Sequence, residues 1–379
     1  MNATFEKNKA LCLEAMEMEN TKPISCMTGN TFAAVLAGVS PGEYMEDPVK
    51  GALAAIDTIK HIEEEAGEII CFNNNPQPMN MAAVMTFAWN SRILVPGIDL
   101  PTDSVYQVKE EELVGPEAYD QIMAMGYNNF LMANVIPRIV DMAYLGKYMG
   151  IAAQAAPQFA EIYAEWGKPT FMGGQSTGVP FEGLCGMRSL QPFYFDCYKM
   201  PDKVKAVSDF IYEENYATTE ENLNNPQDPM ALGSWVGGWR TASNMINPTI
   251  FENLVWPYMK RSAEQLINHG LIAVLHLDSD WNRDVEYFGV LPQNKIIFNT
   301  DGMTNLPRVR QLLPKAPQMG DVPPTLVSTG TPQQVTDYIN RLIDQTGPEG
   351  MFITVACDTP VNAKFENMVA MVKATNEWK

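Results

Sequence analysis

The sequence predicts an α/β protein, a (β/α)8 (TIM) barrel with an N-terminal helical extension. Three observations carry that prediction. Apolar runs of strand length alternate with helical patterns from about residue 67 to the C-terminus, which is how a parallel sheet covered by helices reads in sequence. At least seven such runs are visible and no Gly-rich phosphate loop follows the first, which favours a closed barrel over a doubly wound sheet. Several runs end in polar side chains: Asn73, Gln175, His276, Asn299, Ser328 and Cys357. On a barrel those ends converge at one mouth, where chemistry is done.

Residues 1–66 form the expected helical segment, packed on a barrel of residues 67–379. Phe5 to Met18 is amphipathic and rich in Glu, Pro48 to Glu65 repeats apolar residues at helical spacing, and Gly38 to Gly42 reads as a turn between them. Glu68–Phe72 is the first convincing strand and runs into Asn73-Asn74-Asn75-Pro76. That run of amides is either a loop or a pocket lining. Residues 91–117 are a turn-rich excursion, followed by helices from Pro116 to Gly126 and from about Phe130 to Trp166, the second interrupted by Pro137 and Pro157. Further strands are expected at 169–175, 231–236, 271–276, 295–299, 325–328 and 351–357. Between them helices are expected near 204–222, 248–268, 306–313, 332–345 and 363–375.

Composition excludes several classes of function. Hydrophobic residues make up 46% and charged residues 19%, enough for a large core and unlike a disordered chain. The net charge of −19 argues against nucleic acid and anionic membrane surfaces, which attract basic patches. No apolar stretch is long enough to span a membrane, and the N-terminus lacks the basic-then-apolar plan of a signal peptide. A cytoplasmic protein is expected. Its six cysteines show no paired spacing and should be reduced, mostly as buried fillers. Twenty-four methionines suit soft packing and equally an oxygen-poor, anaerobic habitat.

The chemistry concentrates at two strand ends. Leu271–Leu275 stops abruptly at His276-Leu277-Asp278-Ser279-Asp280-Trp281, and Met351–Ala356 runs into Cys357-Asp358. His276 and Asp278 are two apart, so an extended strand turns both to one face, and barrel closure could bring Cys357 to them. Imidazole, carboxylate and thiolate suit zinc, and three protein ligands with an open position are the catalytic arrangement. A His-x-Asp pair also arises by chance, and Cys357 alone could be a buried filler. Asp280 and Asp358 are runner-up ligands or acceptors behind the ligands; Asp280, also a candidate for catalysis, shares the face of His276 and Asp278 only if the strand continues. Asn73, Gln175, Trp235 and Asn299 are the candidate substrate-binding residues. For Trp235, Trp239 and Trp281 the other reading is rim or core packing. Arg188 and Arg240 could bind an anion or form ion pairs, and His61 and His269 sit in helical stretches without a role.

The last stretch, Cys357-Asp358-Thr359-Pro360 with Glu366-Asn367 opening the final helix, resembles the closing motif of corrinoid-dependent methyltransferases of the uroporphyrinogen decarboxylase superfamily. Leu94-Val95-Pro96-Gly97, Leu100–Ser104, Pro180-Phe181-Glu182 and Met200–Val204 add to a resemblance that spans roughly residues 50–379. It implies a (β/α)8 barrel, a zinc site and methyl transfer involving the cobalt of a separate corrinoid protein. Where thiol-methylating members carry His-x-Cys, this chain has His276-Leu277-Asp278, which puts a thiol acceptor in doubt. One carboxylate in place of a thiolate leaves a harder Lewis acid, better suited to an ether oxygen. Members resembling this chain act in anaerobic O-demethylation of aromatic methyl ethers. The expectation is therefore a zinc-dependent methyltransferase moving a methyl group from an O-methyl donor, an aromatic methyl ether, to a corrinoid protein. Its alternatives are a uroporphyrinogen decarboxylase-type decarboxylase and a methylcorrinoid:thiol methyltransferase. A homodimer is compatible with the sequence, which leaves the oligomeric state and the direction of transfer open.

Overall fold

The computed structural model describes residues 2–29, 31–74, 89–173, 175–225 and 228–379. Asn75 and Pro76, named in the expectations above, and Gly174 within the expected strand 169–175 lie outside them. Seven parallel strands form one curved sheet: β1 (Ile24–Met27), β2 (Cys71–Phe72), β5 (Gly233–Gly238), β6 (Ile272–Leu277), β7 (Ile296–Thr300), β8 (Gln318–Met319) and β9 (Met351–Ile353), in the order β2-β1-β9-β8-β7-β6-β5. β3 (Arg92–Leu94) and β4 (Gln107–Lys109) make a separate antiparallel hairpin. Thr170 closes the ring by bridging Phe72 on one side and Ala231 on the other, both in parallel. The expected (β/α)8 barrel is the fold.

The strands form because their residues are buried on both faces. On β6 the inward set is Ile272, Val274 and then His276, while Ala273, Leu275 and Leu277 face the covering helices. Ile272 and Val274 pack with Ile24, Cys26, Cys71, Phe171, Ile297, Met319 and Phe352 in the barrel interior. Cys12, Ala15 and Met16 of the first helix, Ala3–Met16, belong to the same cluster. That helix therefore closes one end of the barrel interior, and the chemistry is left to the other end.

Helix Pro332–Thr346 illustrates how the outer layer is specified. Thr331 and Gln334 form a reciprocal capping box, Pro332 occupies the first turn, and Gly347 ends the helix with φ of 79°. Val335, Ile339, Leu342 and Ile343 recur at helical spacing and are buried with Met351 and Ile353 of β9. Each such side chain contributes about 1.5–3 kcal/mol on burial.

The structure corrects three expectations. Residues 1–66 are not wholly helical, because Ile24–Met27 is the barrel strand between β2 and β9. Residues 325–328 are not a strand: Pro324–Thr329 is a helix with proline in its first turn. There Ser328 and Thr329 hydroxyls donate to the carbonyls of Pro324 and Thr325, four residues back. The wall position between β7 and β9 is taken instead by Gln318–Met319. Pro157 lies within the continuous helix Met142–Trp166 and does not interrupt it.

Candidate metal centre

β6 and β7 are in register, with His276 opposite Asn299 and Leu277 opposite Thr300. His276 thus rises from the top of the interior face, two residues above Val274. Asp278 follows directly, and Ser279 then turns the chain with φ of 69°. Beyond the Val322–Val355 bridge, Cys357 adopts φ of 52°. Left-handed backbone at non-glycine residues is costly and gathers at functional sites. Here it bends both loops where their metal-capable side chains lie.

His276, Asp278 and Cys357 meet. Their potential ligand atoms all lie within 4.8 Å of one another. His276 Nε2 is 3.6 Å from Asp278 Oδ1 and 3.7 Å from Cys357 Sγ. A tetrahedral zinc ion with bonds of 2.0–2.3 Å requires ligand separations of about 3.3–3.8 Å, so both measured spacings fit without movement.

The support behind His276 is equally specific. Its Nδ1 lies 2.5 Å from Asn299 Oδ1. Asn73 Nδ2 donates to that same oxygen at 3.1 Å, and Asn299 Nδ2 faces the Met319 carbonyl at 3.4 Å. The amide oxygen is thereby turned to the imidazole, which must place its proton on Nδ1 and leave the Nε2 lone pair facing Asp278 and Cys357. Fixing the tautomer in this way is what a partner behind a metal-ligating histidine does.

Electrostatics favour a cation at this point. Burial first, then the Asp278 carboxylate, push the Cys357 thiol well above its ordinary range. Burial raises Asp358 to about 6 despite a bond from the Thr359 amide. Asp301 is raised by burial, and the Asp278 charge adds to the effect. A divalent ion would reverse this crowding and take the thiol as thiolate. The donor set therefore fits zinc.

Other expected residues divide. Asn73 and Asn299 are buried behind His276, in the support just described. Trp235 pairs with Val274 on the inward face, and its ring centroid is 6.4 Å from that of His276. Gly237, opposite His276, leaves it room: a Cβ there would meet the Trp235 ring at 2.9 Å. Asp280 and Gln175 do not join the group. β6 ends at Leu277, and Asp280 Oδ1 accepts from the Asn282 amide and side chain. Gln175 is exposed and accepts from Asn222.

Sequence reading missed two residues around the trio, Asp301 and Tyr106, and named Asp358 only as a runner-up. Asp301 accepts the Ser279 amide at 2.6 Å and so holds the loop that carries Asp278. Its signal was a strand, Ile296–Thr300, ending directly in a carboxylate. Asp358 lies against Gly29, where a Cβ would come 1.8 Å from Oδ1. Its partner strand β1 was unrecognised. Tyr106, just before β4, has its phenol pushed up by burial and by Asp358, Cys357 and Asp278. Nothing in its irregular stretch pointed to it.

Fold and site together define a β/α-barrel protein with a candidate metal centre at the mouth. The sequence profile of the uroporphyrinogen decarboxylase (URO-D) family matches residues 162–378, more than half of the chain, and the chain belongs to that family. Sequence comparison with curated proteins finds no significant match. Among solved structures, the fold is similar to that of a methyltransferase from Methanosarcina mazei, with a TM-score of 0.65 over 98% of each chain at 13% identity.

Proposed function

We propose that this protein is a zinc-dependent methyltransferase that moves a methyl group from an O-methyl donor, an aromatic methyl ether, to the cobalt of a corrinoid protein. The observation that carries the reading is the trio of His276, Asp278 and Cys357, its ligand atoms within 4.8 Å of one another and His276 Nε2 at tetrahedral-zinc distance from the other two, with the tautomer of His276 set by Asn299. Zinc held there would act as a Lewis acid on the ether oxygen. In the transfer the methyl–oxygen bond breaks, its electron pair stays on oxygen, and the corrinoid, as methyl acceptor, supplies the pair for the new cobalt–carbon bond. Asp278 leaves the site harder than two thiolates would, which favours an oxygen leaving group over a thiol acceptor. Trp235, beside His276, offers the donor an apolar floor.

The decarboxylase alternative needs cationic side chains for a many-carboxylate substrate. Arg188 is paired with Glu112 and Asp196, and Arg240 with Glu110 and Glu182, so neither is a free anion site. The five cysteines other than Cys357 are buried and free, as fillers of the core. No described helix is long and apolar enough to cross a membrane.

The test is metal analysis of the purified protein, followed by methyl transfer from aryl methyl ethers to cob(I)alamin. One zinc per chain and methylcobalamin formation that both vanish in His276→Ala and Cys357→Ala support the reading. Full zinc in either variant refutes the ligand set, and a zinc-loaded parent inert toward every O-methyl donor refutes the reaction.

A further inference from the structure

Next to the trio stands a row of aromatic rings that the ligand set does not use. Gly238 ends β5 opposite Leu277, about 4.8 Å away across the sheet. Trp239 therefore leaves the wall beside the point where Asp278 leaves it. The Trp239 ring lies 5.9 Å from that of Trp89, at 54°, and Trp89 lies 6.4 Å from Tyr106, at 36°. Tyr106 is within electrostatic reach of the trio: its phenol is pushed up first by burial and then by the charges of Asp358, Cys357 and Asp278. All three rings are only partly buried, unlike the fully buried aromatic rings of the core.

The row is firmly backed. The Arg240 guanidinium stacks on Trp239 at 4.1 Å. Arg240 is itself buried and donates to Ser91, Glu110 and the Glu182 carbonyl. Glu182, buried on helix Pro180–Arg188, takes three donors on a single oxygen: the amides of Trp239 (3.0 Å) and Arg240 (3.1 Å) and the Thr241 hydroxyl (3.1 Å). Gly238 admits this approach, because a Cβ there would stand 2.7 Å from the same oxygen. The indole N–H of Trp239 is buried yet finds no acceptor among the described residues. A buried donor left unmet is costly, and a ring bearing an oxygen substituent would satisfy it.

We propose that Tyr106, Trp89 and Trp239 form the face against which the aryl ring of the methyl donor stacks, and that Glu182 is its positioning residue, fixing the Trp239–Thr241 turn. This rests on the methyl-transfer reading and names where its substrate lies. The ring rests on the aromatic row, its methoxy group reaches the trio, and a ring oxygen accepts from Trp239.

The experiment separates binding from turnover. Binding of 2-methoxyphenol to the zinc-loaded protein is measured calorimetrically for the parent and for Trp89→Leu, Trp239→Leu, Glu182→Ala and Glu182→Gln. Trp239→Leu and Trp89→Leu should each weaken binding about tenfold with zinc content unchanged. Glu182→Ala should weaken it in the same direction. Glu182→Gln should restore binding, because its amide oxygen can take the same three donors. Parental affinity in both tryptophan variants overturns the ring face, and Glu182→Gln as weak as Glu182→Ala overturns the positioning role. Should Glu182→Ala fail to fold, the tryptophan variants and Glu182→Gln decide. Methyl transfer to cob(I)alamin from methanol, without any saturable binding of 2-methoxyphenol, overturns the ring face and leaves the transfer reading standing. Binding that the tryptophan variants weaken, without methyl transfer from any donor, leaves an aryl site and refutes the transfer.

Discussion

Asn299→Ala tests whether the support behind His276 sets the metal affinity. In the parent, Asn299 Oδ1 sits 2.5 Å from Nδ1 and also accepts from Asn73. Truncation removes that acceptor, frees the imidazole to place its proton on Nε2, and strands the Asn73 amide in the interior. Loss of such a partner costs 10- to 100-fold in metal affinity, or about 1.4–2.7 kcal/mol. Stability without metal should fall by about 1–3 kcal/mol from the unmet buried amide. Asn299→Asp is the control: its carboxylate still accepts from Nδ1 and should hold zinc at least as tightly as the parent. The assay is a zinc competition titration against a chromophoric chelator, beside denaturant unfolding of the metal-free proteins. Zinc affinity of Asn299→Ala within about twofold of the parent would refute the tautomer argument.

The remaining predictions concern the trio, the buried acid and the outer core. Asp278→Cys should keep or tighten zinc yet slow demethylation about thirtyfold, as about 2 kcal/mol of leaving-group stabilisation is lost. Single-turnover transfer to cob(I)alamin at equal zinc content checks it, and parental speed would remove the case for ligand hardness. Glu182 is raised to about 7, burial being the largest cause and Arg240 opposing it. Because its folded pKa exceeds the unfolded value of 4.5, its contribution is fully present below that value and is lost as pH rises toward 7. Relative to Glu182→Gln, which does not titrate, the parent should lose about 3 kcal/mol across that window; parallel stability–pH curves would contradict it. Ile339→Ala, under the helix over β9, should cost about 2–5 kcal/mol of stability and leave zinc binding unchanged, as unfolding and metal analysis would show.

Much of the barrel was legible along the chain because its central strands are buried on both faces. β6 and β7 read as unbroken apolar runs, and the abrupt change at His276 and Asn299 marked where each wall meets the mouth. The metal-capable residues could be named from that change alone, including the two-residue spacing that puts His276 and Asp278 side by side. Short elements were not legible. β1 has four residues with a serine among them, and β8 is Gln318–Met319. Neither carries a periodic pattern, and each exists because neighbouring strands offer it hydrogen-bond partners. Thr325–Ser328 shows the converse: an apolar, β-branched run became a helix because proline opens it and hydroxyls bond back to its carbonyls. Only closure of the barrel could decide that Cys357, 81 residues from His276, stands 3.7 Å from its Nε2. Closure likewise turned Asn73 and Asn299 inward behind the imidazole and left Asp280 and Gln175 in their loops. Residue type and local period are properties of the chain. Which side chains share one small volume is set by strand register and ring closure, and those depend on every strand at once.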